Sequence, residues 1–101
     1  SESEMAKQYE CNTTSPKLET LMNLVAEITD SGAKVCIFTK YQRMQKILKQ
    51  ELEDSLGFKC AIVNGTMSPE ERYEQAYTLF GDDDEYKVLI GIFFILTSLF
   101  Y

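Results

Sequence analysis

The chain has 101 residues, of which 45% are apolar and 26% are charged, and this composition indicates a single globular domain rather than a disordered chain. Its net charge of −6 argues against a basic footprint for nucleic acid over the whole domain and against a polybasic membrane binder, although it permits a local basic edge. The sequence contains no histidine, which excludes histidine-based catalysis, histidine metal ligation and a histidine pH switch.

The first predicted element is a helix over residues 16–31. Residues 1–14 before it are polar and aperiodic, and they are predicted to form a flexible arm or linker. Ser15 provides an N-cap, Pro16 suits the first helical position, and Gly32 stands where a C-cap would. The buried face is predicted from apolar residues at helical spacing: Leu18, Leu21, Met22, Val25 and Ile28.

A strand and a second helix follow. Residues 34–38 are mostly β-branched, aromatic or otherwise apolar, which predicts a short strand buried on both faces. Thr39 and Gln42 fit a T-x-x-Q capping box and predict the start of the second helix, which ends at Gly57. The apolar side of this helix is predicted to consist of Tyr41, Met44, Ile47, Leu48, Leu52 and Leu56.

The second buried strand is predicted over residues 59–63. After it, Ser68 and Glu71 form a capping box around Pro69, which is the clearest helix start in the chain. This third helix is predicted to end at Gly81. Its core face is predicted to contain Tyr73, Ala76, Tyr77 and Phe80.

An acidic run at residues 82–85 and a third strand at residues 87–90 complete the order. The acidic run lacks the alternating ligand spacing of a calcium loop, so we interpret it as a solvated turn and predict no metal site. Helices that alternate with short buried strands predict an α/β fold, a three-layer sandwich in which helices cover a parallel sheet. The apolar stretch at residues 88–101 is too short to span a bilayer. We expect its last part, the apolar tail at residues 92–101, to add a strand or to mediate self-association.

The cysteines indicate a reducing compartment. They are Cys11, Cys36 and Cys60, an odd number without C-x-x-C spacing, so neither a disulfide framework nor a zinc site is predicted. Cys36 and Cys60 lie within apolar runs, where a free thiol acts as a small hydrophobe. The first residues contain no apolar signal-peptide core, and an intracellular location is expected, in a nucleus or in a bacterial or viral-host cytoplasm.

Candidate ligand sites lie where parallel strands end. Lys40, Arg43 and Lys46 lie near the N-terminus of the predicted second helix, where the helix macrodipole disfavours cations. A cationic first turn beside free backbone N–H groups forms an anion site, so we predict phosphate binding near Thr39, Lys40 and Arg43. The alternative is that these charges are solvated and paired with acids on neighbouring elements.

Two further positions each have two interpretations. Gly65, followed by Thr66, allows the backbone to approach a ligand closely, or it is an ordinary turn glycine. Arg72 contacts a phosphate, or it pairs with an acid and braces the loop, and bracing is favoured because Arg72 lies inside the helix. The chain contains no P-loop and no nucleophile–base pair, so no catalytic residue is predicted.

Three stretches, in this order and spacing, resemble the second, C-terminal RecA-like domain of helicase superfamily two, in its Swi/Snf-type branch. The first is SPKLETLMNLVAEI followed by KVCIF. The second is IFTKYQRMQKILKQEL, which resembles motif four of the family, and the third is NGTMSPEERYEQAYTLF, which resembles the motif after it. The resemblance implies that residues 15–101 form a partial RecA-like lobe with the fold of P-loop NTPases.

In this family the second lobe contacts the phosphate backbone of DNA through its strand-end loops. The resemblance therefore implies that Thr39 and Lys40, in motif four, and Gly65 and Thr66, in the next loop, bind DNA, and Arg43 joins them from the charge pattern of the helix. Arg72 matches the helix arginine of the family. Asn64, which stands where many relatives have an acid, is a mild departure from the pattern.

The sequence departs from the family after residue 90. It reads GIFFILTSLFY, without the Gly-rich motif five, and the arginines of motif six and the whole first lobe are missing. We therefore expect a domain truncated before motif six and inactive alone, whose full-length parent is an ATP-dependent DNA helicase or translocase that binds ATP and magnesium between two lobes. The expected partners are the DNA backbone and the first RecA-like lobe. The alternative is a non-catalytic α/β protein-interaction module.

Overall fold

A computed structural model of the chain describes residues 16–92. The predicted arm at residues 1–14 and all but the first residue of the predicted apolar tail lie outside this range, and so does any self-association through that tail. Within it the elements follow the predicted order. They are α1 (Pro16–Asp30), β1 (Val35–Thr39), α2 (Gln42–Leu56), β2 (Lys59–Val63), α3 and β3 (Tyr86–Ile92), where α3 is α-helical over Pro69–Tyr73 and continues as a π-helix over Glu74–Gly81.

The three strands form one parallel sheet in the order β1-β3-β2. In the register of β1 with β3, Thr39 lies opposite Ile92, and in that of β2 with β3, Val63 lies opposite Gly91. The parallel sheet predicted from the three apolar runs is therefore confirmed, and β3 is its central strand. All three strands end at the same edge of the sheet, called the carboxyl edge below.

Helices cover both faces of the sheet, as predicted for a three-layer sandwich. On one face α1 and α2 pack against alternate residues of the strands, with Leu48 and Leu52 among the buried side chains. On the other face Ala76 and Phe80 of α3 pack against a smaller cluster that includes Leu89. The fold is thus held by two hydrophobic layers that meet at the central strand.

The prediction that β1 is buried on both faces is wrong. Val35 and Ile37 pack against the α1 and α2 layer, whereas Cys36 is exposed and Phe38 retains 50% of its accessible surface. The reason is that β1 is the first strand of the sheet order, whereas α3 packs mainly against β2 and β3. Cys36 is therefore not the core hydrophobe that was expected.

The predicted core face of α3 is half right. Ala76 and Phe80 face the sheet, but Tyr73 and Tyr77 are 59% and 41% exposed, and their ring centroids lie 4.8 Å apart on the outer surface. The π-helical turns explain the difference, because i→i+5 hydrogen bonding changes the angular spacing between side chains. A prediction at the α-helical period cannot anticipate that change.

The predicted capping box of α2 is also wrong. Thr39 remains in β1, where it pairs with Ile92, and its hydroxyl donates to the Tyr41 carbonyl over 3.0 Å. Tyr41 is the N-cap residue in an extended conformation, and its side chain makes no capping hydrogen bond. Two other predicted ends are confirmed: Gly57 closes α2 with φ 75°, and Ser68 closes the capping box of α3. The predicted N-cap Ser15 lies outside the described residues.

Candidate nucleic-acid interface

The carboxyl edge brings the predicted site residues together on both sides of the central strand. The loop from β1 to α2 contains Lys40, and the loop from β2 to α3 contains Gly65 and Thr66. Because Thr39 and Val63 are in register with the end of β3, these two loops flank that end. Residues that are far apart in the sequence therefore share one edge of the sheet.

The β1 side of this edge is cationic. Lys40 is exposed in the loop, and Arg43 is exposed in the first turn of α2, which contains no acidic residue. Since the Tyr41 side chain makes no capping hydrogen bond, the positive end of the helix dipole faces this edge without the N-cap side-chain oxygen that usually covers it. This combination of N-terminal helix dipole and cations attracts anions.

Thr39 contributes through the shape of the loop. Its hydroxyl hydrogen is already donated to the Tyr41 carbonyl, so in this geometry it has no hydrogen left to donate to a phosphate oxygen. Thr39 therefore belongs to the site as the residue that turns the chain from β1 into α2.

The β2 side of the edge is a compact turn over residues 64–67. The side-chain oxygen Oδ1 of Asn64 accepts from the Thr66 backbone N–H at 3.1 Å and from its hydroxyl at 2.6 Å. The Asn64 carbonyl accepts from the Met67 N–H at 3.3 Å. Gly65 is exposed at the tip of the turn. It is not one of the glycines with positive φ, so the backbone angle alone does not require glycine there.

Gln45 is a site residue that the sequence prediction missed. It lies in the first turns of α2 and is completely buried. Its Nε2 donates to the carbonyls of Val63 and Ile90 at 2.9 and 2.8 Å, and its Oε1 accepts from Asn64 Nδ2 at 3.0 Å. The available signal was a polar residue within the apolar stripe of an amphipathic helix.

The brace predicted for Arg72 is not formed within residues 16–92. Arg72 is half-buried inside α3, and its backbone N–H bonds to the Ser68 carbonyl, but its side chain makes no ion pair with any acid of that range. The N-terminus of α3 is instead closed by Glu71, whose carboxylate accepts from the Ser68 N–H at 3.0 Å. Hydrogen bonding to Ser68 lowers the pKa of Glu71.

The acidic run lies at the opposite edge of the sheet. Asp83 Oδ1 accepts from the Glu85 N–H at 2.9 Å, and Glu85 pairs with Lys59 at 3.2 Å, beside the starts of β2 and β3. Lys34, just before β1, donates to the carbonyls of Phe80 and Asp83. Residues 16–92 hold no group of three or more side chains suited to a metal ion, and none of their helices is long and apolar enough to cross a membrane.

Charge is therefore unevenly distributed despite the net charge of −6. The acidic run surrounds the amino-terminal ends of the strands, and the cationic turn of α2 lies at the carboxyl edge. The first turn of α3 adds Glu70 and Glu71 on the β2 side of that edge. An anion is consequently favoured on the β1 side, near Lys40 and Arg43, and is disfavoured at the N-terminus of α3.

Two curated proteins are similar in sequence to this chain. Among curated proteins, the Zorya protein ZorD from Escherichia coli O139:H28 is 29% identical over 84 residues, which are 82% of this chain and 8% of ZorD. YwqA of Bacillus subtilis, whose name describes an ATP-dependent helicase/translocase, is 36% identical over 58 residues, or 57% of this chain and 6% of YwqA. The chain thus spans less than a tenth of either relative.

Two solved structures share the fold. The Sulfolobus solfataricus SWI2/SNF2 ATPase C-terminal domain superposes with a TM-score of 0.73 and 25% identity, over 81% of this chain and 37% of that one. The C-terminal part of the Fun30 ATPase domain gives a TM-score of 0.68 at 24% identity, over 78% of this chain and 25% of that one, and shows the fold alone. The family model described as the helicase conserved C-terminal domain matches residues 16–98. Since this match includes most of the sequence and every described element, the chain belongs to the helicase conserved C-terminal domain family.

Proposed function

We propose that this chain acts as the second RecA-like lobe of an ATP-dependent DNA helicase or translocase of the Swi/Snf type, and that its carboxyl edge contacts the phosphate backbone of one DNA strand. The observation that carries the proposal is the cationic N-terminus of α2, which the Tyr41 side chain does not cap, at the same edge of the sheet as Gly65. The similarity to a SWI2/SNF2 ATPase C-terminal domain supports the choice of a DNA translocase.

Phosphate backbones are bound mainly by cationic side chains and by backbone N–H groups, above all at helix N-termini. Lys40 is exposed and close to the N-terminus of α2, so it would meet a phosphate as a point charge. Arg43 adds a second cation one turn along. Gly65 leaves the backbone accessible on the other side of β3. Such contacts carry no base specificity, which suits a motor that moves along any sequence.

ATP and Mg²⁺ would be bound between this lobe and a first RecA-like lobe. Residues of this chain do not fit a nucleotide by themselves, because the sequence has no P-loop to cradle its phosphates. When bound between two lobes, the nucleotide would supply the free energy of hydrolysis. The part of this chain would be to hold one DNA strand at its carboxyl edge while the cleft opens and closes. Alone, the chain is expected not to hydrolyse ATP.

A second candidate, a protein-interaction module, has one observation in its favour. The paired rings of Tyr73 and Tyr77, tilted by 37° to each other, are exposed on α3, beside the exposed acid Glu74. Exposed aromatic rings are common where proteins meet. This surface lies on the outer side of α3, so the two candidates predict contacts on different parts of the molecule.

The test of the DNA proposal is the salt dependence of binding to a short DNA duplex, followed by fluorescence anisotropy. Replacing Lys40 with alanine should weaken binding and reduce the slope of log affinity against log salt by about one unit, as expected for one lost phosphate contact. The matched control is Lys59→Ala, at the opposite edge, where the lysine is 57% exposed, pairs with Glu85 and lies 5.7 Å from the centroid of the Tyr86 ring. Equal effects of the two changes would mean diffuse electrostatics and would contradict a contact site at Lys40.

A further inference from the structure

Gln45 connects three parts of the carboxyl edge through one side chain. It belongs to α2, it bonds the carbonyls of Val63 in β2 and Ile90 in β3, and it bonds the side chain of Asn64. Asn64 in turn holds both donors of Thr66. A continuous series of hydrogen bonds therefore runs from the central strand through α2 to the turn at residues 64–67.

Donor and acceptor counting fixes the orientation of each group in this series. The Gln45 amide nitrogen has two hydrogens, and the two carbonyls take both. Its oxygen must then face position 64, where it requires a donor. The Asn64 Nδ2 supplies that donor, and this leaves Oδ1 directed at Thr66. An aspartate at this position would place a carboxylate oxygen against the Gln45 oxygen, an acceptor against an acceptor.

We propose that Gln45 is a positioning residue for the DNA-contacting edge: it fixes the turn at residues 64–67 relative to the end of β3, and it makes asparagine the residue required at position 64. This inference rests on the proposed function for its link to DNA. Burial strengthens it, because Gln45 is 0% exposed and Asn64 is 6% exposed, so water does not substitute for these bonds. A turn held in this way presents Gly65 to a phosphate without first having to be ordered.

The positioning role is tested by amide hydrogen exchange in the chain without DNA. Gln45→Met keeps an unbranched side chain of similar length and removes all three hydrogen bonds. We expect the Thr66 N–H to exchange about tenfold faster relative to the Leu89 N–H of the central strand. The control, Gln50→Met, alters an exposed glutamine of the same helix that bonds only Asp54. A merely structural role would accelerate both amides together, and that result, or an unchanged Thr66, would overturn the proposal.

The matching of Gln45 with Asn64 is tested by a double-mutant cycle on the urea midpoint of unfolding. Asn64→Asp should lower the midpoint more than the control Asn23→Asp, which adds the same charge at an exposed position of α1. In the Gln45→Met background the same change should cost less, because the opposing oxygen is absent. Additive effects of the two changes would contradict the required pairing.

Binding of a short DNA duplex then separates this inference from the function on which it rests. If Gln45→Met accelerates exchange of the Thr66 amide and also weakens duplex binding at least threefold, the positioning role and the DNA contact are both supported. If the Thr66 amide exchanges faster while duplex affinity is unchanged, Gln45 positions the turn but the turn does not contact DNA. That result overturns the link between the positioning role and DNA binding. If the unaltered chain does not bind the duplex, the proposed function fails while the exchange result still decides the positioning role.

Discussion

Replacing Glu53 with alanine should destabilise the outer edge of β2. β2 is the last strand of the sheet order, so its outer backbone groups have no neighbouring strand within residues 16–92. Side chains of α2 bond those of Cys60 instead: Glu53 accepts from the Cys60 N–H at 2.9 Å, and Lys49 donates to the Cys60 carbonyl at 2.6 Å. Lys49 and Glu53 also pair with each other at 2.8 Å. Together they cover an edge that would otherwise invite pairing with another chain.

The expected cost follows from the two bonds that Glu53 would lose. A hydrogen bond to a charged group contributes roughly 1.5–3 kcal/mol, and the lower end applies because the Glu53 side chain is 31% exposed. The ion pair with Lys49 joins residues four apart on a helix and adds about 0.3–0.5 kcal/mol. Glu53→Ala should therefore lower the free energy of unfolding by about 2 kcal/mol.

Urea denaturation followed by circular dichroism measures this cost, with Glu51→Ala as the control on the same helix. The Glu51 side chain makes no hydrogen bond or ion pair within residues 16–92, and its removal is expected to change stability by less than about 0.5 kcal/mol. Equal losses from the two substitutions would refute the reasoning, because they would show that the bonds to Cys60 and Lys49 contribute nothing measurable.

The same contact predicts a pH dependence. Burial raises the pKa of Glu53, but the hydrogen bonds from Lys49 and from the Cys60 N–H outweigh it, so the folded-state pKa lies below its ordinary value. A depressed carboxyl pKa contributes stability above the unfolded-state pKa, and that stability is lost as pH falls through the folded-state value. The difference in unfolding free energy between the unaltered chain and Glu53→Ala should therefore shrink between about pH 5 and pH 3.

Two further predictions concern other parts of the fold. Ser68→Ala should lower the free energy of unfolding by about 1 kcal/mol, measured by urea denaturation, because it removes the capping box that starts α3, and an unchanged midpoint would contradict this. Iodoacetamide should label Cys36 well before Cys60 in peptide mapping by mass spectrometry, because Cys36 is exposed whereas burial raises the pKa of Cys60 to about 12. Labelling of Cys60 first would mean that the sheet opens around β2.

The order and type of the elements were predictable because local signals agree with one another. Pro16 and Ser68 mark helix starts, Gly57 marks a helix end, and the apolar runs between them are too short to be helices. Parallel pairing follows from the alternation of helix and strand. The strand order does not follow from that alternation, because nothing in the local sequence places β3 between β1 and β2. This strand order is the reason that Phe38 is half exposed.

The candidate site was predictable in position and not in its internal bonding. Lys40 and Gly65 lie at the carboxyl edge because parallel strands end together. Gln45 was not predicted, because its partners are the carbonyls of residues 63 and 90, and only the folded chain brings these to α2. The hydroxyls of Thr39 and Thr66 bond within their own loops, a choice between neighbouring acceptors that the sequence leaves open.

The central claim is that DNA meets this domain at its carboxyl edge, and mapping the contact by nuclear magnetic resonance tests it most directly. A short DNA duplex is added to the isotope-labelled chain, and the shift of each backbone amide is followed. We expect the largest shifts at Lys40, Arg43 and Gly65, with a loss of the effect at high salt. Shifts concentrated at Tyr73 and Tyr77 on the outer side of α3, or no shift at the carboxyl edge, would contradict it.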